Sequence, residues 1–216
     1  MPSAIGIYWR SRIRLAYDSR MTQQGLLPEI EARHSCRSYL PDPISREAIQ
    51  RILDAGALAP SGANQQPWHM VVIDEPELKM ATREACEAAD RTFHQHISDE
   101  IRQWMQDHEI TTEKPFLTEA PVLIAVFYDP KAPYPLHSAW IAISFMLLQA
   151  TREGLGTLTY TPSAADVKDL LGVPKKLQLA AILPLGKPRE LRQQPRKPGS
   201  ETQSWNLFGE QVKSLG

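Results

Sequence analysis

The pattern of apolar and polar residues along this chain predicts where its strands and helices lie. Residues 122–128 are apolar at every position, which predicts a central strand covered on both faces. Shorter apolar runs predict three more strands, at residues 70–73, 155–160 and 178–185. We therefore expect a sheet with residues 122–128 inside it.

Helices are predicted where apolar residues recur on one face. Ser45 begins the first clear helix, with Ile44 and Ile49 forming a hydrophobic staple around the cap, and Pro60 ends it. Residues 136–150 are apolar nearly all round. Such a helix is buried either in a core or in a subunit interface.

Two shorter helices are expected near the ends of the domain. Residues 28–32 form one of them. Ser163 and Asp166 make a capping box for the other, which runs to Leu171 and ends at Gly172.

Residues 77–110 are the most polar third of the chain and are predicted to be helical. Their apolar side chains form one narrow stripe, made of Phe93, Ile97, Ile101 and Trp104. A segment packed so thinly is a candidate mobile lid. A surface helix on a stable body fits the same pattern.

Composition excludes several classes of function. The 216 residues carry a net charge of −1, so no basic field indicates nucleic acid, and no apolar run approaches the roughly 20 residues of a membrane span. The two cysteines lack metal-ligand spacing, which favours a reducing, cytoplasmic setting. The histidines at 94, 96 and 108 are interpreted as a solvated helix surface, so no metal is expected.

Two stretches carry candidate chemistry, although nucleophile, zinc and dinucleotide signatures are absent. Arg33 and Arg37, with Ser35 between them, offer two guanidinium groups and a hydroxyl that suit a phosphate dianion. Residues 59–68 form a polar turn rich in amides, with Pro60 and Trp68 near its ends.

Four segments, in their order along the chain, resemble the FMN-dependent nitroreductase superfamily, and within it the branch that contains iodotyrosine deiodinase. They are Arg33-His34-Ser35-Cys36-Arg37, residues 59–68, Thr157-Leu158-Thr159-Tyr160-Thr161-Pro162 and Arg196-Lys197-Pro198. The resemblance runs from about residue 33 to residue 198, which is most of the chain. His34 departs from the arginine that is commoner in the family.

The resemblance implies an α+β, three-layer fold with a mixed, mostly antiparallel central sheet flanked by helices. It also implies an intertwined homodimer that binds FMN at the subunit interface. Thr161 would donate toward flavin N5 and is the expected catalytic residue. The expected FMN ligands are Arg33, His34, Ser35, Arg37, Ser61, Asn64, Thr159, Tyr160, Thr161 and Arg196.

The substrate-binding positions of the family can be aligned with this chain in two ways. In the deiodinase branch a Glu, a Tyr one turn later and a distant Lys clamp the zwitterion of the amino acid. Counted forward from Glu75-Pro76, these positions fall on Asp90 and His94; counted back from Ala120-Pro121, they fall on Ala89 and Phe93. Lys114 matches the Lys, and Ala63 is expected near the substrate.

Three regions are expected: an N-terminal arm at residues 1–28, an FMN-binding domain at 29–190 that includes a lid at 77–115, and a C-terminal extension at 191–216 that wraps the partner subunit. Trp205, Leu207 and Phe208 are the late apolar anchors of that extension. The arm lies on another subunit or is a frayed extension.

The expected function is an FMN-dependent oxidoreductase that takes electrons from NADH or NADPH and reduces nitroaromatics, quinones or similar flat acceptors in a ping-pong cycle. The flavin carries the redox chemistry, so no general base is needed. The alternatives are reductive dehalogenation of a halotyrosine or halophenol, fragmentation of the flavin, and non-catalytic flavin binding.

Overall fold

A four-stranded antiparallel sheet in the order β1-β2-β4-β3 forms the centre of the molecule. The computed structural model describes residues 25–108, 110–162, 167–190 and Ser204. The capping box at Ser163 and Asp166, the cofactor candidate Arg196 and the three C-terminal anchors lie outside these residues, as does most of the expected N-terminal arm.

The strands are β1 (Trp68–Ile73), β2 (Val122–Tyr128), β3 (Gly156–Thr157) and β4 (Gln178–Gly186). β2 is buried at all seven positions, because β1 and β4 cover its edges and helices cover both of its faces. The prediction of a covered central strand is confirmed.

Helices form a layer on each face of the sheet. On one face, α2 (Arg46–Ala57) and α6 (Pro135–Arg152) pack against Val122, Ile124 and Val126. On the other face, α3 (Pro76–Gln95), α5 (Phe116–Glu119) and α7 (Val167–Leu170) pack against Leu123, Ala125 and Phe127. Successive side chains of a strand point to opposite faces, so β2 supplies both cores. The three-layer α+β fold is confirmed.

Two further helices are α1 (Pro28–Ala32) and α4 (Asp99–Asp107). The polar stretch thus contains two helices, because Ser98 starts α4 by accepting a hydrogen bond from the Ile101 amide at 3.4 Å. Ser45 caps α2 as predicted, accepting from the Ala48 amide at 3.2 Å.

One sequence prediction differs from the structure. The strand expected over residues 155–160 is paired only at Gly156–Thr157, after which Tyr160 returns to β4 opposite Ile182. The helix α6 enters the core on one face, while Leu136, Ile141 and Phe145 are each about 40% exposed within one chain. The prediction that this helix lies in a core or in a subunit interface is met on the core side, and the interface stays a prediction. Within the described residues, no helix is both long enough and apolar enough to span a membrane.

Glu87 anchors the polar helix α3 to the segment that precedes α5. Its Oε1 accepts the backbone N–H of Lys114 at 2.7 Å and Nε of Arg83 at 2.6 Å. Burial acts to raise the pKa of Glu87, but these hydrogen bonds and the Arg83 charge outweigh it, so the pKa lies below its ordinary value of 4.5. The ionised carboxylate therefore stabilises the folded state.

Replacing Glu87 with Gln should lower the free energy of unfolding at pH 7 by about 2 kcal/mol, because charged hydrogen bonds are lost. The depressed folded pKa makes this stabilisation complete above the unfolded pKa and progressively lost as pH falls through the folded pKa. Urea unfolding at pH 7 and at low pH should show the difference from wild type shrinking in acid. Glu84→Gln, an exposed site on the same helix, is the control. An equal difference at both pH values would contradict the assignment.

Candidate functional site

The arginine segment, residues 33–37, lies alongside residues 157–161, which are called here the threonine-rich strand. Ser35 pairs with Thr157 in a parallel bridge, and the Cys36 amide donates to the Thr157 carbonyl at 3.0 Å. A Cβ on Gly156 would lie 2.7 Å from Cβ of Cys36, so this close approach requires glycine. Two of the sequence motifs therefore meet within one subunit.

His34 offers an unused polar atom in this segment. Its Nδ1 donates to the Ala32 carbonyl at 3.1 Å. Its Nε2 is buried and has no hydrogen-bond partner among the described residues. A buried polar atom without a partner is costly. In the doubly protonated imidazole both nitrogens donate, which suits a phosphate oxygen supplied by a ligand. Arg37 nearby is exposed, while Arg33 is half-buried.

The threonine-rich strand presents two different faces. Tyr160 exchanges two backbone hydrogen bonds with Ile182, at 3.0 and 2.8 Å, and its side chain is buried. Adjacent residues of an extended strand point to opposite faces. Thr159, which is half-buried, and Thr161, which is exposed, therefore face away from the Tyr160 ring. Their hydroxyls are placed for a ligand outside the core.

Asp90, Lys114 and Tyr160 form a buried polar group, called here the Asp90 cluster. Nζ of Lys114 lies 3.0 Å from Oδ2 of Asp90, and the Tyr160 hydroxyl donates to the same oxygen at 2.9 Å. Nζ of Lys114 also donates to the Thr111 carbonyl. All three residues are less than 10% exposed. A buried ion pair with this added hydrogen bond holds two segments of the polar region against the strand.

Burial keeps the Tyr160 hydroxyl and the neighbouring Cys86 thiol neutral. Burial, followed by the nearby Cys86 and Asp90 charges, raises the pKa of Tyr160 well above its ordinary value. Burial also raises the pKa of the Cys86 thiol to about 12. Tyr160 is therefore a hydrogen-bond donor at physiological pH and does not ionise.

The other candidate substrate-binding residues on α3 lie outside the Asp90 cluster. His94 is half-buried near the end of α3, its carbonyl accepts from Arg102 at 3.2 Å, and its ring meets Phe93 edge-on. Of the two alignments, only the one that selects Asp90 places a carboxylate against Lys114, since the other selects Ala89. The structure thus brings together one acid and one cation.

The polar turn at residues 59–68 is strained and lies beside the start of α6. Its backbone enters the left-handed region at Ala63, Asn64 and Gln66, with φ of 49°, 55° and 46°. The Ser61 hydroxyl accepts from the Gln66 amide at 2.9 Å, and the Gly62 amide donates to the Ser138 hydroxyl at 3.3 Å.

A cleft of about 330 Å³ is lined by this turn and by the start of α6. Its two aromatic lining residues, Tyr134 and His137, were not predicted from the sequence; their rings meet edge-on with centroids 6.3 Å apart. Tyr134 lies between two prolines and has a left-handed φ of 47°. The Pro-Tyr-Pro run is the sequence feature that could have marked this position as an unusual turn. The full lining is Pro60, Ser61, Gly62, Tyr134, His137, Ser138 and Ile141.

The turn and the threonine-rich strand lie at opposite edges of the sheet. The turn leads into β1, the first strand of the order, whereas Thr157 belongs to β3, the last. Three interstrand spacings of about 4.8 Å place these edges roughly 14 Å apart. One chain therefore holds the arginine segment, the threonines and the Asp90 cluster together, but keeps Ser61, Ala63 and Asn64 at a distance from them.

Comparison with known proteins gives the class of the molecule. The model of the nitroreductase family matches residues 30–187, well over half of the chain. The chain belongs to the nitroreductase family, and with this fold and site it is a flavin-dependent oxidoreductase.

Within that family the chain is similar to iodotyrosine deiodinases. It is 38% identical to the iodotyrosine deiodinase of Thermotoga neapolitana over 170 residues, covering 78% of this chain and 90% of that protein. It is 32% identical to that of Daphnia pulex, covering 80% of this chain and 62% of that protein. A crystal structure of iodotyrosine deiodinase bound to FMN and 3-iodo-L-tyrosine superposes with a TM-score of 0.74 at 33% identity, covering 79% and 94% of the two chains.

These relatives correct the main functional expectation. Reduction of nitroaromatic, quinone or similar flat acceptors was wrong as the leading function, whereas NADH or NADPH as the electron donor stays a prediction. The relatives at 38% and 32% identity, and the similar crystal structure, are all iodotyrosine deiodinases. The comparisons favour the dehalogenase alternative.

Replacing Ala63 with Gly should raise the free energy of unfolding by about 1 kcal/mol, because only glycine adopts a left-handed φ without steric cost. Denaturant unfolding would measure the change. The matched control is Ala88→Gly, an exposed position inside α3, which should lower stability by about 1 kcal/mol. A loss of stability in both variants would show that Ala63 is not strained.

Proposed function

We propose that the protein is an FMN-dependent reductive dehalogenase of halotyrosines. The observation that carries this proposal is the buried contact between Asp90 and Lys114 beside the threonine-rich strand, because it supplies one acid and one cation for an amino-acid zwitterion. The net reaction breaks a carbon–halogen bond and forms a carbon–hydrogen bond. It consumes two electrons and one proton and releases halide.

The residues that would hold FMN fit its chemistry. Arg33, His34, Ser35 and Arg37 offer donors for the phosphate, and the unpartnered Nε2 of His34 is the clearest vacancy for a phosphate oxygen. Thr159 and Thr161 would face the ring system, with Thr161 donating toward N5. Bound FMN supplies the two-electron chemistry. Arg196 and the backbone of Tyr160 complete the proposed set.

The substrate zwitterion would bind by exchange with an existing ion pair. Asp90 and Lys114 neutralise each other in this structure. A halotyrosine offers an ammonium to Asp90 and a carboxylate to Lys114, so both charges keep a partner when the amino acid enters. His94, one helical turn after Asp90, would lie at the same end of the substrate. Residues 77–115 are the proposed lid over it.

The remaining contacts would come from a second copy of the chain. Ser61, Ala63 and Asn64 lie at the sheet edge opposite the threonines. A homodimer would bring the turn of one subunit to the flavin of the other. Leu136, Ile141 and Phe145, each about 40% exposed on α6, would provide an apolar surface for such a contact, and Ile141 also lines the cleft.

The function is tested by loading the protein with FMN, reducing it anaerobically and adding 3-iodotyrosine. The flavin absorbance should return as one equivalent each of tyrosine and iodide forms. Reduction with dithionite, NADH and NADPH in parallel would identify the electron donor. A reduced flavin that yields neither tyrosine nor iodide would rule out the proposed function.

Replacing His34 with Ala should weaken FMN binding about tenfold or more, since a hydrogen bond to a charged phosphate is lost. Quenching of flavin fluorescence measures the dissociation constant without reference to activity. His69→Ala, an exposed histidine on β1, is the control and should leave the constant unchanged. Equal affinity in the His34 variant would remove that residue from the phosphate site.

A further inference from the structure

We propose that Tyr160 is a positioning residue that holds the substrate-binding carboxylate of Asp90 in place and ties the lid to the flavin-facing strand. This inference deepens the proposed function and rests on it for the identity of the substrate. The Tyr160 side chain then belongs to the substrate end of the site, whereas the sequence predicted Tyr160 as a flavin ligand.

The hydrogen bonds to Asp90 are arranged so that one oxygen stays available. Tyr160 and Lys114 both reach Oδ2, at 2.9 and 3.0 Å. Among the described residues, Tyr160 and Lys114 are the hydrogen-bond donors to Asp90, and both use Oδ2. Oδ1 is therefore the oxygen that a substrate ammonium can use. When Lys114 turns to a substrate carboxylate, the Tyr160 hydroxyl still fixes the orientation of Asp90.

Tyr160 is itself held rigidly. Its backbone exchanges two hydrogen bonds with Ile182 of β4, and its ring packs edge-on against Phe116, with centroids 5.6 Å apart. Nζ of Lys114 lies 5.6 Å from the centroid of the same ring. Because the ring belongs to the buried core, the hydroxyl is a fixed reference point for a helix that is otherwise mostly polar.

Three consecutive residues, Thr159, Tyr160 and Thr161, contribute to both the substrate side and the flavin side of the proposed site. Tyr160 points toward α3, while strand alternation turns Thr159 and Thr161 toward the proposed flavin side. A shift of the lid is thus transmitted to the strand that carries these threonines. Tyr160 supplies a phenol hydroxyl to Asp90 from another element.

The kinetic test compares two substrates in the Tyr160→Phe variant. We expect KM for 3-iodotyrosine to rise about tenfold, because a hydrogen bond to a charged group is lost. KM for 2-iodophenol, which has no zwitterion, should stay within about twofold, as should kcat for both substrates. Tyr128→Phe is the matched control, since it removes a hydroxyl that donates to Gln178 at 2.6 Å at the far end of β2. Equal KM changes for both substrates, or none, would overturn the proposal.

A second test needs no substrate. In the FMN-loaded Tyr160→Phe variant, amide hydrogen exchange should become about tenfold faster in residues 85–95 and 110–118, and remain at the wild-type rate in Tyr128→Phe. Unchanged exchange would refute the link even if dehalogenation is observed. Absence of dehalogenation in the wild type would instead refute the proposed function and leave this result standing.

If Tyr160→Phe does not fold, Asp90→Ala tests the link from the other side. Removal of the carboxylate should speed exchange in residues 157–161, which lie on a different element from the substitution. Unaltered exchange there would show that α3 and the threonine-rich strand are not coupled through Asp90.

Discussion

The burial of β2 on both faces is the constraint on which the rest of the molecule depends. Every side chain of Val122–Tyr128 lies in one of two cores, so each neighbouring strand and helix has a fixed face to cover. Two groups of candidate site residues lie at the two edges of the sheet: the arginine segment beside β3, and the polar turn before β1.

Local pattern was enough to predict much of this fold. The continuous apolar run identified β2 because its neighbours on both faces are apolar, and Ser45 identified the start of α2 because a cap acts within one turn. The family resemblance selected Lys114 and, in one of its two alignments, Asp90, whereas the other alignment selected Ala89; the structure places Nζ of Lys114 3.0 Å from Oδ2 of Asp90. The roles in flavin and substrate binding that follow from these positions stay predictions.

Long-range docking could not be predicted in the same way. Strand alternation predicts that Tyr160 and Thr161 point to opposite faces. It does not predict that α3 places Asp90 within hydrogen-bond distance of the Tyr160 hydroxyl. The helix α6 shows why apolarity alone is ambiguous: Ile143 and Met146 enter the core, whereas Leu136, Ile141 and Phe145 are each about 40% exposed. Local sequence pattern did not distinguish nitroaromatic reduction from dehalogenation. The similarity to iodotyrosine deiodinases corrected that expectation.

The opposite placement of the polar turn and the threonine-rich strand has a genetic consequence. In the proposed dimer each site takes Thr161 from one chain and Ser61 from the other. A copy defective at Thr161 and a copy defective at Ser61 would each be inactive alone. Combined in one mixed dimer, they leave one site doubly damaged and the other intact. Two such alleles would complement each other, whereas two alleles damaged on the same edge of the sheet would not.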